Sequence, residues 1–177
     1  MDAHAAGRDG ERGLRKHETT VERQSGRELV VTRLVDAPRH IVFEAWTRPE
    51  LLRRWWVPPS LGMSFITCEA DFRTGGTYRF VFGHPDWEQP MEFFGRFLDV
   101  TPPSRIVWTN DEGGDAGPVT TVTFEDSGDQ TLIVIRDLYP SKEALDAAIE
   151  SGTTGGWSEQ FEQLDELLVT LGGEAKR

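Results

Sequence analysis

WSEQFEQLDELLVTL, residues 157–171, is the stretch on which the fold turns. Its Trp157, Phe161, Leu164, Leu168 and Leu171 recur at steps of four, three, four and three residues, which stacks them along one stripe of an α-helix. Glu159, Glu162, Asp165 and Glu166 fall mostly off that stripe, toward solvent. Gly172 and Gly173 supply a stop. The spacing predicts about four turns, roughly 22 Å long, with one apolar face that needs a partner. Everything between Arg27 and Asp137 reads as the sheet that receives it. A helix laid on a curved sheet either packs solidly or encloses a cavity, and function depends on which.

Ahead of that helix, Ser141 is placed to cap a short helix over residues 142–150. Residues 119–125 and 131–137 read as a hairpin across Asp126–Asp129. Further back, strands are expected at 105–110 and 91–100, stopped by Pro102-Pro103, with the loop 84–90 before them. Residues 64–72 and 77–83 form another hairpin around Thr74-Gly75-Gly76, with Phe72 opposite Tyr78, Ala70 opposite Phe80 and Cys68 opposite Phe82. Two short helices precede it: one capped by Asp36 with Ile41, Val42, Ala45 and Trp46 on its inner face, and one over 50–56 opened by Pro49 and ended by Pro58-Pro59. The β-branched run 28–35 is the first strand, and residues 1–26 read as a flexible polar tail. The order β-α-α-β-β-β-β-β-β-α implies an α+β fold, with helices on one side of a single strongly bent, mostly antiparallel sheet.

The totals narrow the function. At 177 residues the chain forms one domain, residues 27–173, long enough to bury a core. A net charge of −11 argues against nucleic acid or an anionic membrane as partner. The single cysteine, Cys68, rules out an internal disulfide and any multi-cysteine zinc site, and its place in an apolar strand makes it an inert thiol. Nothing approaches the ~20 apolar residues of a membrane span, and no hydrophobic signal region opens the chain, so a cytoplasmic protein is expected. Six Trp and ten Phe suit either a well-filled core or an aromatic-lined pocket.

Five segments occur in order along the chain: VDAPRHIVFEAWTRPELLRRWW, CEADFRTGGTYRF, GRFLDVTPPSRIVWTN, VTFE and SGTTGGWSEQFEQLDELL. In this order they resemble the START-like helix-grip superfamily (SRPBCC), whose members include polyketide cyclases and birch-pollen-allergen-type binders, and the resemblance covers about residues 27–171. Within the superfamily the chain is similar to the branch named after the activator of the heat-shock-protein-ninety ATPase. The resemblance implies a curved seven-stranded antiparallel sheet gripping the C-terminal helix, two short helices after the first strand, and a cavity between sheet and helix. It does not imply one chemistry, since the branch uses the cavity for different tasks. The co-chaperone itself carries a further large N-terminal domain that binds the chaperone. Some 26 polar residues cannot be that domain, which weakens a chaperone partner here.

No G-x-S-x-G elbow, H-E-x-x-H motif or phosphate-binding glycine loop occurs, and no cofactor or metal is expected. His84, in the loop His84-Pro-Asp-Trp-Glu88, is the one histidine near a plausible cavity mouth. Glu92, Arg96 and Arg136 interrupt apolar strands, and on a concave face they would polarise a carbonyl or move a proton. Period-two alternation sets Glu92, Phe94, Arg96 and Leu98 on one face and Phe93, Gly95 and Phe97 on the other, without saying which is inward. The candidate ligand-binding set is Trp56, Tyr78, Phe80, Phe82, Phe94, Trp108, Asn110, Trp157, Phe161 and Leu164. Gly155-Gly156 ahead of Trp157 permits close backbone packing or a hinge at the entrance. The leading expectation is a binder of a small apolar, aromatic or lipid-like molecule, as monomer or homodimer. The alternatives are an enzyme of cyclase, dehydratase or hydrolase type in the same cavity, and a co-chaperone-like interaction module.

Overall fold

A computed structural model describes residues 18–112, 117–151 and 156–175. In chain order the elements are β1 (Thr19–Arg23), β2 (Glu28–Val35), helices α1 (Arg39–Thr47) and α2 (Pro49–Leu52), a 3-10 turn (Pro59–Leu61), β3 (Ser64–Ala70), β4 (Thr77–Gly83), β5 (Met91–Thr101), β6 (Arg105–Thr109), β7 (Val119–Ser127), β8 (Gln130–Leu138), α3 (Lys142–Glu150) and α4 (Trp157–Ala175). The strands form one antiparallel sheet in the order β1-β2-β8-β7-β6-β5-β4-β3. From β3 to β8 each strand pairs with its sequence neighbour, and β8 closes on β2. The expected α+β architecture is therefore present, with eight strands rather than seven.

The additional strand is β1, which lies in the stretch expected to be a flexible tail; residues 1–17 are outside the described residues. β1 pairs with β2 from Thr19↔Arg33 to Arg23↔Leu29. An edge strand of this kind gains backbone hydrogen bonds without burying much apolar surface, so its polar composition is no obstacle. Other boundaries also move. The N-cap of α1 is Pro38, with no side-chain cap, rather than Asp36. α2 ends at Leu52, and the chain runs on through turns in which Trp55 and Trp56 both donate to the Leu52 carbonyl. α4 continues through Gly172 and Gly173, whose cost of about 1 kcal/mol each is tolerated where propagation keeps adding hydrogen bonds.

The β3–β4 hairpin is shifted two residues from the expected register: Ala70 lies opposite Tyr78 and Cys68 opposite Phe80, and beyond a bulge Phe65 faces Phe82. A longer connection causes the shift. Asp71 N–H donates to the Thr77 carbonyl at 2.9 Å, Gly75 holds φ +88°, and a Cβ on Gly76 would strike the Asp71 carbonyl. Because the slip is even, Tyr78, Phe80 and Phe82 keep their common face.

The three helices α1, α2 and α4 share one core with that face. Val42, Ala45 and Trp46 of α1, and Phe161, Leu164, Leu167 and Leu168 of α4, are buried with Val31, Val35, Val122, Phe124, Ile133 and Ile135 of the sheet. α4 meets the sheet at β1 and β2 and leans on α1, so the β2-β8-β7 half is the filled one. A smaller cluster joins Leu29 and Tyr139 to Leu145 of α3; Ser141 caps α3 as expected, accepting from Ala144 N–H at 3.1 Å. No helix among the described residues is long and apolar enough to cross a membrane.

One charge is built into this half. Arg33 of β2 is 3% exposed, donates to Thr19 Oγ1 at 2.8 Å, pairs with Asp165 of α4, and lies 5.8 Å from the centroid of the Phe161 ring. Asp165 is itself only 15% exposed. Removing one partner of such a pair strands the other charge, whereas replacing both with apolar groups is nearly neutral. Asp165→Ala is expected to lower unfolding stability in urea by about 3 kcal/mol, and Arg33→Met with Asp165→Leu to restore most of it.

Candidate ligand-binding cavity

The other half of the sheet is not filled. Between β4–β6 and the α2 region lies a cavity of about 670 Å³. Its walls are Tyr78, Phe80 and Phe82 of β4, Phe93 and Phe97 of β5, and Ile106 and Trp108 of β6. Trp46, Leu52, Trp56 and Val57 roof it, and Gly156, Glu159 and Gln160 at the start of α4 bound one side. Exposed lining residues, Ser60, Leu61, Met91, Glu112 and Ser151, mark the rim. The volume suits a small organic molecule.

The aromatic walls brace one another. Phe80 packs on Phe65 at 5.6 Å, on Tyr78 at 5.1 Å and on Trp56 at 6.1 Å between ring centroids. The roof is tied to α4 through side-chain amides: Gln160 donates to the Trp56 carbonyl at 2.5 Å and Gln163 to those of Trp55 and Val57 at 3.2 and 2.6 Å. Near the rim, Glu159 accepts from Ser60 N–H at 2.8 Å and from Ser60 Oγ at 2.5 Å, joining α4 to the 3-10 turn.

One corner of the cavity is polar. Tyr78 donates its hydroxyl proton to the Thr109 carbonyl at 2.7 Å, and burial, with Glu112 and Asp111 adding to it, holds the phenol well above its usual range. Gly95 makes this approach possible: a Cβ there would strike the Thr109 carbonyl and come within 2.8 Å of Tyr78 Cε1. Beside it, Asn110 donates from Nδ2 to the Pro118 carbonyl at 2.8 Å and to Thr120 Oγ1 at 3.1 Å. Thr120 in turn donates to Asp137 Oδ1 at 2.5 Å. Burial pushes the Asp137 carboxyl up to about 6, the Thr120 bond only partly offsetting it. Asp137 also helps burial drive the Tyr139 phenol up to about 12.

The predicted residues divide. Trp56, Tyr78, Phe80, Phe82, Trp108 and Asn110 line the cavity. Phe161 and Leu164 do not; they are fully buried in the filled half. Trp157 stacks at 24° on both Trp46 and Phe161, at 6.3 and 5.4 Å, behind the lining. Phe94 is a correction: it is 40% exposed on the outer face, because its register partner is Arg79, whereas Tyr78 pairs with Gly95.

The charged candidates share that outward fate. Glu92 pairs with Arg79 at 2.7 Å, Arg96 with Asp111 at 3.5 Å and Arg136 with Glu28 at 3.4 Å, and the side chains of all three candidates are exposed. His84 stacks on Trp87 at 5.1 Å and accepts Asp86 N–H at 3.0 Å through Nδ1, which makes it a turn residue outside the cavity lining. Gly155 lies outside the described residues; Gly156 is against Pro58, where a Cβ would sit 3.3 Å from Pro58 Cγ. Sequence reasoning passed over Thr120 and Asp137. The alternation of Thr131, Ile133 and Ile135 carries Asp137 inward and Arg136 outward, and that parity was the available signal.

A sheet cupped over a long C-terminal helix, two short helices after the first long strand, and an aromatic cavity between them define a START-like helix-grip domain. Residues 36–169 match the family described as Activator of Hsp90 ATPase homolog 1-like protein, and the chain belongs to that family. A crystal structure of a Rhodobacter sphaeroides protein is 23% identical and superposes with a TM-score of 0.79 over 87% of this chain and 99% of its own. One from Nitrosomonas europaea is 24% identical, with a TM-score of 0.75 over 85% and 99% of the two chains. The AHSA1-like protein of Aeromonas hydrophila, 18% identical, gives 0.62 over 77% and 92%. At these identities the likeness is one of fold. No curated protein matches the chain in sequence.

Two outcomes follow from the polar corner. Gly95→Ala is expected to cost about 2 kcal/mol of stability in thermal unfolding, since the new methyl meets backbone rather than a movable side chain. Asp137 makes stability depend on pH. Its proton is held up to about pH 6 in the folded protein, but is lost near pH 4 in the unfolded chain. In that window the unfolded state binds fewer protons, so stability falls as pH rises, by up to about 1.4 kcal/mol per unit. Asp137→Asn should flatten that part of the profile, measured as the difference in urea midpoints between variant and parent.

Proposed function

We propose that this protein binds a small apolar molecule, aromatic or lipid-like, in the cavity between the sheet and its helices. The observation that carries the reading is the cavity of about 670 Å³ whose walls are predominantly aromatic and aliphatic. A space of that size lined by Phe and Trp is costly to leave unfilled, because its lining forgoes contact on one side, and an apolar occupant restores it. The family and its helix-grip fold are compatible with this role.

Binding is favoured over turnover by the state of the polar groups. The Tyr78 proton is committed to the Thr109 carbonyl, and the Asn110 amide does not titrate. Glu159 is engaged by Ser60, and Glu112 accepts from Phe94 N–H at 3.3 Å. A proton-transfer catalyst needs a group free to exchange within reach of its substrate, and the strand-borne Glu92, Arg96 and Arg136 lie on the other face.

Native mass spectrometry before and after mild organic extraction tests the reading. The expected result is a discrete excess mass that extraction removes, and uptake of a hydrophobic dye by the extracted protein. Val57→Trp, which fills the space from a partly exposed wall, should weaken dye binding by roughly tenfold with the fold intact. A clean mass together with no dye response in the parent protein would remove the proposal.

A further inference from the structure

We propose that the turn over residues 59–62 is a flap across the cavity mouth, latched by Glu159, and that the apolar occupant enters and leaves beneath it. This rests on the binding reading above and adds the route by which the site is reached.

The sequence isolates this turn from its surroundings. Pro58 and Pro59 have no N–H to give, so between Pro58 and Gly62 the backbone donors are those of Ser60, Leu61 and Gly62. Two of the three are used inside the turn: Leu61 N–H donates to the Pro58 carbonyl at 3.1 Å and Gly62 N–H to the Pro59 carbonyl at 3.2 Å. Gly62 then redirects the chain at φ +66°, a conformation that suits glycine. The third donor leaves the turn. Ser60 N–H and the Ser60 hydroxyl both donate to the Glu159 carboxylate of α4, at 2.8 and 2.5 Å. Among the described residues no other hydrogen bond joins residues 59–62 to the rest of the protein.

Apolar contact adds little to that latch. Residues 59–62 are exposed, and Leu61 is 50% exposed although it lines the cavity. On its other side Gly62 rests near His84, whose Nε2 would lie 3.0 Å from a Cβ at that position, a contact without a hydrogen bond. The flanks, by contrast, are fixed. Pro58 is buried beside Gly156, the Val57 carbonyl accepts from Gln163, and β3 begins at Ser64. A short turn with its own internal bonds, set between two anchored flanks, moves as a unit.

The other described boundaries of the cavity do not part as readily. Separating β4, β5 and β6 breaks ladder hydrogen bonds. Lifting the roof breaks the Gln160 and Gln163 bonds and draws the Trp56 ring away from Trp46 and Phe80. Local opening favours the segment with the fewest bonds and the least buried apolar surface, which here is the turn.

Stopped-flow mixing of the extracted full-length protein with Nile red, a neutral hydrophobic dye, tests this. The concentration dependence of the fluorescence rise gives the association rate, and its fall on dilution gives the dissociation rate. Glu159→Ala, which removes both latch bonds, is expected to raise the two rates together by about fivefold, so that their ratio changes far less than either. Ser60→Ala, which removes only the hydroxyl and leaves α4 unaltered, should raise both by about twofold. A side chain that served only as a ligand contact would change dissociation alone. Should Glu159→Ala fail to fold, Ser60→Ala, at an exposed position, decides by the same two rates. Rates equal to the parent's, or a faster dissociation with association unchanged, would overturn the flap while leaving cavity binding in place. If the parent takes up no dye, the binding reading fails, and this inference with it.

Discussion

The packing around the Trp46 ring is the contact on which both halves of the molecule depend. Its ring meets Trp55 at 4.8 Å, Phe124 at 5.6 Å, Trp56 at 6.0 Å, Trp157 at 6.3 Å and Trp108 at 6.4 Å. Phe124 and Trp157 belong to the filled half, and Trp56 and Trp108 to the cavity wall. Each such aromatic pair contributes about 0.5–1.5 kcal/mol beyond its buried area. Trp46 thus joins α1 to the sheet, to the turn after α2 and to α4 at once. A shift of this ring would loosen the core and reshape the cavity together, so the position of α1 is constrained from both sides.

The asymmetry of the sheet explains why one half is solid and the other open. α4 leans on α1 and reaches the sheet at β1 and β2, where Arg33, Phe161 and Asp165 interlock. Over β4–β6 the facing elements are the short α2 and the turn after it, which cannot supply enough side chains to close the gap. The gap does not collapse because its walls are braced. Phe65 meets Phe80 edge to face and Phe80 meets Tyr78 at a tilt, Phe72 and Phe97 pack at 4.8 Å, and Gln160 and Gln163 hold the roof through backbone carbonyls. Rigid aromatic walls and a hydrogen-bonded roof keep a space that flexible aliphatic chains would have filled.

Much of this was legible in the sequence, and the parts that were not have particular causes. The stripe of α4, the β7–β8 hairpin and the antiparallel order follow from periodicity and turn residues, because those signals are local. The facing of β5 does not, since both alternating sets contain phenylalanine. It is decided by the register with β4: Arg79 faces outward and brings Phe94 with it, while Tyr78 needs a glycine opposite and finds Gly95. β1 escaped notice because an edge strand is held by its neighbour's backbone, which composition does not record. The site was half legible. Tyr78, Phe80 and Phe82 share a face by strand parity, and so do Trp108 and Asn110, although parity does not say that theirs is the inner one; Phe161 and Leu164 went to the filled half because α4 lies over one edge of the sheet, and helix placement over a sheet is not a local property.

The polar corner runs against the economy of the rest of the interior. An apolar residue in place of Asp137, with matched changes at Thr120 and Asn110, would avoid burying a carboxyl whose pKa is already pushed up to about 6. In its other half the same fold shows that it can fill space, with Phe124, Ile133, Ile135, Phe161 and Leu164 almost wholly buried. Local choices that conflict with stability are expected at functional sites rather than in scaffolding. The chain from Asp137 through Thr120 sets the direction of the Asn110 amide, whose Oδ1 lies 3.5 Å from the Tyr78 hydroxyl where both residues line the cavity.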